Sequence, residues 1–338
     1  MDQTDGISLA KTWEIVHFYM KDAKARPSNT MTRTRKWWAK WLKVAVGFAA
    51  VVVMAGGLGF HPTRPLYMRH QALDVVAPDG TVLSATLSLP RWRSKPRAGM
   101  VIVHGSGRLT RRHLIGDVRR LVWEGFAVLA YDKRGVGESG GEYPRNSNTG
   151  GAEATLRILA ADAAAALKRL RQVPDIDPAT VGYFGASQAS WIIPLATESL
   201  DPPPRFQIIL SGSAVSTGVE QFYSDLTGDG HRPPTVADPK EIERLVNAFD
   251  GEHGYDPSPV LSATRVPTLW LLGDQDQSVP VFATANVLKK LPGEAAVYHT
   301  VIRFPEADHD LRNPSTGKPA PIWDEMLQWL RKTGVTSS

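Results

Sequence analysis

From residue 71 onwards, short apolar runs alternate with stretches of helical periodicity. Residues 72–76 and 82–89 alternate apolar and polar positions on either side of Pro78-Asp79-Gly80, a turn signal, and so predict an antiparallel hairpin. Segments 99–103, 126–131, 181–184, 206–210, 268–272 and 297–304 are mostly continuous apolar runs, the pattern of strands covered on both faces. Between them, helices are expected at about 110–124, 152–172, 188–199, 281–290 and 319–332. This alternation predicts an α/β architecture, a mainly parallel central sheet with helices on both faces. One stretch, 216–262, has no strong strand signal. Thr227-Gly228-Asp229-Gly230 and Pro233-Pro234 punctuate it, and 239–249 reads as a short amphipathic helix, so it is expected to form a small helical cap insertion.

The N-terminus follows a different pattern. Residues 44–60 contain no charge and follow a segment carrying Arg33, Arg35, Lys36, Lys40 and Lys43. As a helix the run would extend roughly 26 Å, just short of a hydrocarbon core of about 30 Å. Trp37, Trp38 and Trp41 suit the headgroup level, and the basic flank predicts a cytoplasmic N-terminus with the remainder exported. A cleaved signal ending near Val53-Met54-Ala55 is the competing reading, and Met31 would give it a conventional start. The expected organisation is a basic tail at 1–43, an anchor or signal at 44–60, a linker at 61–70 and a folded α/β domain at 71–338.

Charge matters only once it is located. Of the net +5, all sits in residues 1–60, with nine Lys and Arg against four Asp and Glu, which leaves 30 of each in the remaining residues. A neutral domain argues against nucleic acid as a partner. With no cysteine, thiolate metal sites, Fe–S clusters and cysteine nucleophiles are excluded together.

The candidate chemistry lies where predicted strands end. Strand 181–184 runs into Gly185-Ala186-Ser187-Gln188-Ala189 and then an apolar helical start, so Ser187 sits on a strand-to-helix turn that needs small neighbours. A serine hydroxyl requires a base, and the base an orienting acid. Asp274 and Asp276 follow strand 268–272, and His309 follows strand 297–304; both loops lie past carboxyl ends of strands, where open parallel sheets place their sites. Oxyanion donors are expected from the N–H of Gln188 and from the loop His104-Gly105-Ser106-Gly107, where the Ser106 N–H is favoured and the glycines permit close approach.

Five ordered segments carry a resemblance: His104-Gly105-Ser106-Gly107, the run from Tyr131 to Ser139 that includes Asp132-Lys133-Arg134-Gly135, Gly185 to Ala189, Gly273 to Asp276 followed by Val279-Pro280, and Asp308-His309. Over about residues 71–332 the chain resembles serine hydrolases of the α/β-hydrolase superfamily. The resemblance implies Ser187 as nucleophile, Asp276 rather than Asp274 as orienting acid and His309 as general base. It also implies a small-molecule acyl substrate and cleavage of carboxylic esters, with thioester or peptide cleavage and a non-catalytic scaffold as alternatives. A peptidase of this kind is expected to bring a further large domain. The departures from the usual elbow are Ala189 and Ser190, where such families commonly have glycine.

Gly135 to Gly140 spells a dinucleotide fingerprint but lacks the helix start that would bind pyrophosphate; the resemblance implies instead a structural loop near the site, its shape fixed by Asp132 and Arg134. His104 and His113 have no metal-ligand spacing. No cofactor and no metal are expected.

Overall fold

The computed structural model describes residues 67–96, 98–144 and 149–336. Among them, eight strands form one sheet: β1 Met68–Val76, β2 Val82–Pro90, β3 Gly99–Val103, β4 Ala127–Tyr131, β5 Val181–Ala186, β6 Gln207–Leu210, β7 Thr268–Gly273 and β8 His299–Phe304. The helices are α1 Ile115–Trp123, α2 Ala152–Arg171, α3 Ala189–Glu198, α4 Thr217–Thr227, α5 Pro239–Asn247, α6 Ser258–Ala263, α7 Val281–Lys289 and α8 Ile322–Lys332.

Strand order is β1-β2-β4-β3-β5-β6-β7-β8, with β1, β2 and β4 paired antiparallel and every pair from β4 to β8 parallel. The hairpin closes where expected. Gly80 takes φ +82°, its N–H reaches Ala77 O at 2.9 Å, and Thr81 N–H donates to Asp79 Oδ1 at 3.0 Å. Strands β3, β4, β6 and β7 are buried along their whole length, as continuous apolar runs require.

Alternation along each strand then feeds two cores. Val101 and Val103 join Leu129, Tyr183 and the alanine-rich face of α2 on one side. Met100 and Ile102 join Val128, Ile208, Leu269 and the inner faces of α1 and α8 on the other. These buried faces hold the carboxyl ends of β3, β5, β7 and β8 in fixed register.

Element boundaries differ from the sequence expectation in several places, including the helix expected from 110, which starts at Ile115 after a 3₁₀ turn at Arg111–Leu114. Sheet pairing begins at Met68, so the last three residues read as linker belong to β1. The run 297–304 enters the sheet only at His299, because residues Ala295–Tyr298 close a 3₁₀ turn that leaves Val297 largely in solvent. Helix α8 starts at Ile322, after Pro319 and Pro321. The stretch 216–262 contains three helices rather than one, α4, α5 and α6, and α4 and α5 meet over a small core of Val215, Val219, Tyr223, Ile242 and Val246. The predicted anchor or signal, 44–60, lies outside the described residues; among the described residues no helix is long and apolar enough to cross a membrane.

The loop after β4 is braced by ion pairs. Arg134 donates to both carboxylate oxygens of Asp162 in the middle of α2, at 2.8 and 2.5 Å, and to Asp79 at 2.7 Å. Both partners of the Arg134–Asp162 pair are buried. Removing one partner strands the other charge, so Asp162→Asn is expected to cost about 3–5 kcal/mol of stability, read as a lower midpoint in urea unfolding; an unchanged midpoint contradicts it.

Candidate active site

Ser187 sits between β5 and α3 with φ +55°, a left-handed conformation unusual for a residue with a side chain and associated with functional sites. Its N–H donates to Leu210 O at 2.9 Å and its carbonyl accepts from Ser190 N–H at 2.8 Å, which pins the turn from both sides. The small neighbours are explained by contact. A Cβ on Gly185 would lie 2.6 Å from Ala189 Cβ and 2.9 Å from Val103 O. Ser190 fits because its neighbour across the gap is Gly212, where a Cβ would come within 2.6 Å of Ser190 Cβ. Ser190 Oγ accepts from Ser213 N–H at 2.9 Å, so the departure from glycine is used as well as accommodated.

At the end of β7, Asp276 is buried and its carboxylate fully engaged. Oδ1 accepts from the N–H groups of Ser278 and Val279 at 2.7 and 2.8 Å, and Oδ2 accepts from His309 Nδ1–H at 2.7 Å. Asp274, the rival acid, pairs instead with Arg303 at 2.7 Å. The two loops can press together because residue 273 is glycine; a Cβ there would lie 2.4 Å from the carbonyl oxygens of both Ala307 and Asp308.

Ser187 and His309 converge on adjacent positions of one segment. Ser187 N–H bonds Leu210 O, and the next residue, Ser211, donates its hydroxyl to His309 O at 2.6 Å. Thus the imidazole–carboxylate half of the constellation is formed. No Ser187 Oγ–His309 hydrogen bond is present among the described residues, which is common before substrate tightens such a site. Burial disfavours the charged imidazole of His309, but the hydrogen bond and charge of Asp276, with Glu220 and Asp310 nearby, outweigh it and hold its pKa above the ordinary 6.5. A pocket of about 280 Å³ opens beside His309, bordered by Gln277, Asp310, Asp229 and His231.

The expected oxyanion elements are also adjacent. Gln188 begins the turn into α3, and a Cβ on Gly105 would lie 3.5 Å from Ser187 Cβ, so the Ser106 peptide lies beside the elbow. The Ser106 N–H donates to no group among the described residues. The fingerprint-like glycines after β4 serve the loop itself: a Cβ on Gly137 would be 2.4 Å from Asp132 Oδ2, and among the described residues no helix follows until α2. Asp132 accepts from Arg111 N–H at 2.8 Å, Arg111 Nη1 at 2.6 Å and Glu138 N–H at 3.0 Å, which accounts for its place in that segment.

Two further side chains belong to the site. Glu220, on α4, lies within electrostatic reach of His309 and Asp276, and burial pushes its carboxyl pKa up to about 8. Its helix is fixed there by Tyr223, whose hydroxyl donates to Asp276 O at 2.6 Å, and by Thr227, which donates to Gln277 O. Lys133, buried after β4, donates to the loop around Ser106 and to Gln188. Glu220 stands in a segment with no motif, so nothing local marks it; Lys133 stands inside one, between Asp132 and Arg134.

The sheet, the strained serine and the half-buried histidine on its buried carboxylate together define a serine hydrolase of the α/β-hydrolase fold. Residues 117–334 match the prolyl oligopeptidase family, and the chain belongs to that family. Among solved structures it is similar to an esterase of Pyrococcus furiosus at 14% identity and TM-score 0.55, over 78% of this chain and 92% of that one. It is also similar to acetyl xylan esterases of Paenibacillus sp. and Thermoanaerobacterium sp., each at 18% identity and TM-score 0.52, over 81% of this chain and 86% of theirs. These likenesses establish the fold. No curated protein matches the chain by sequence.

Proposed function

We propose that the protein hydrolyses carboxylic esters through an acyl-enzyme on Ser187. His309 takes the Ser187 proton as the hydroxyl oxygen attacks the acyl carbonyl, and the N–H groups of Gln188 and Ser106 stabilise the oxyanion. The C–O bond to the alcohol then breaks as His309 returns the proton to it. Water, activated by the same imidazole, next attacks the acyl-serine and releases the acid. Asp276 holds the imidazole with Nδ1 protonated, so Nε2 is the basic nitrogen. The observation that carries this reading is the 2.7 Å His309–Asp276 bond at the sheet edge where Ser187 is held at φ +55°. The esterases sharing the fold support an ester as substrate. Thioesters would be cleaved by the same steps. Membership in the prolyl oligopeptidase family favours peptide cleavage as the second reading.

The purified full chain is expected to hydrolyse a short p-nitrophenyl ester and to be labelled at Ser187 by a fluorophosphonate probe. Faster turnover of a matched p-nitroanilide peptide would transfer the assignment to a peptidase; an unlabelled protein without turnover would leave only a scaffold.

We also propose that residues 44–60 anchor the chain in a membrane with the hydrolase domain on the exported side, supported by the basic flank and the charge-free run. Full-length protein retained on membranes through a carbonate wash is the expected result, and its appearance in the wash excludes the anchor.

A further inference from the structure

Lys133 is buried, yet among the described residues it forms no ion pair. Its three ammonium protons match three acceptors: Gly105 O at 2.5 Å, Gly107 O at 3.1 Å and Gln188 Oε1 at 3.2 Å. An unpaired buried cation is costly in a low dielectric, and a neutral side chain could fill the same space. The acceptors indicate what the charge does. In a trans peptide the carbonyl of one residue and the N–H of the next point in opposite directions. Turning Gly105 O onto the ammonium therefore aims the Ser106 N–H away from it, on a loop whose Gly105 packs against Ser187. The third bond grips the side chain of Gln188, the residue that offers the other N–H.

We infer that Lys133 is the positioning residue of the oxyanion site, one ammonium that locks both donor segments and sets a positive charge behind the Ser106 peptide. The inference rests on Ser187 being the nucleophile. A cation at the carbonyl end of a peptide polarises its N–H, so the donor is strongest when an oxyanion forms in front of it. Lys133 thus acts through Ser106 and Gln188 and makes no covalent step of its own.

Burial lowers the pKa of Lys133 to about 8. The groups around it do not obscure its titration. Tyr143, whose ring centroid is 5.7 Å from Nζ, has its pKa raised by burial, and Arg108 stacks on the same ring at 5.1 Å. His104 is pushed down to about 4, chiefly by burial, and is neutral throughout the relevant range. Along the chain, Asp132 is tied to Arg111 and Arg134 to Asp162. Glu220 also titrates near 8, but across the site beside His309.

Deprotonation of Lys133 removes the charge, so kcat for ester hydrolysis by the full chain is expected to fall as pH rises through about 8. That alkaline limb should persist in Glu220→Gln and vanish in Lys133→Met. Lys133→Met should lower kcat about 10²-fold, comparable with losing one oxyanion donor, with KM changed less than about threefold and fluorophosphonate labelling of Ser187 slowed but retained. A Lys133→Met enzyme that keeps wild-type kcat, or keeps the limb, overturns the inference. If that variant does not fold, Glu220→Gln decides: a limb near pH 8 supports the inference and a rate flat to pH 10 overturns it. A wild-type chain that fluorophosphonate does not label at all refutes the nucleophile instead, so the two failures are distinct.

Discussion

Ser187→Ala is expected to lower kcat for a p-nitrophenyl ester by roughly 10⁴- to 10⁶-fold, the range seen when a serine nucleophile is removed from a unit that works only when complete. The proposed chemistry forms its covalent bond at this oxygen, and no second hydroxyl stands on the same turn facing the same donors: Ser190 Oγ is committed to Ser213 N–H inside α3. Stability should change little, because the hydroxyl of Ser187 makes no hydrogen bond among the described residues and alanine keeps the Cβ that meets Gly105. Thermal melting separates the two effects. A variant that melts near the parent temperature and retains ester turnover within tenfold would remove Ser187 from the mechanism.

Asp276→Asn should be nearly as damaging, on the order of 10⁴-fold in kcat, and for a geometric reason. Two backbone N–H groups, of Ser278 and Val279, already point at one carboxylate oxygen. An amide placed there must give them its oxygen, which turns its NH₂ toward His309 Nδ1. The imidazole then carries its proton on Nε2 and cannot accept one from Ser187. The acid limb of the pH profile supplies a second readout. In the parent enzyme His309 must lose its proton to act, and Asp276 raises its pKa, so kcat/KM should rise through a midpoint above 6.5. Without the carboxylate charge, burial dominates and disfavours the charged imidazole, so the residual activity of the variant should have its midpoint moved downwards. An unchanged midpoint would mean that Asp276 does not govern this histidine.

Much of this site is legible along the chain because its parts are local. A serine between Gly185 and Ala189 after an apolar run marks a strand-to-helix turn, and carboxylate- and histidine-bearing loops after later runs mark neighbouring strand ends. Choosing between Asp274 and Asp276 required the resemblance, since both occupy one loop; in space they differ completely, one paired with Arg303 and the other with His309. The insertion was less legible. The apolar positions of its helices α4 and α6 face a small cap core and the sheet rather than forming one long stripe. The start of β8 was misplaced because an apolar run ending in a strand does not reveal where its 3₁₀ turn gives way to pairing.

The sequence by itself determined the alternation of strands and helices, the sheet between two apolar layers, and the three loops that carry a hydroxyl, a carboxylate and an imidazole, because each depends on periodicity or on a turn a few residues long. Tertiary structure alone decided that Glu220 of the cap stands beside the histidine and that Lys133 spans from the Gly105–Gly107 loop to Gln188. Those relations join residues tens of positions apart, where the field and hydrogen-bonding groups around a side chain are set by which strand ends become neighbours.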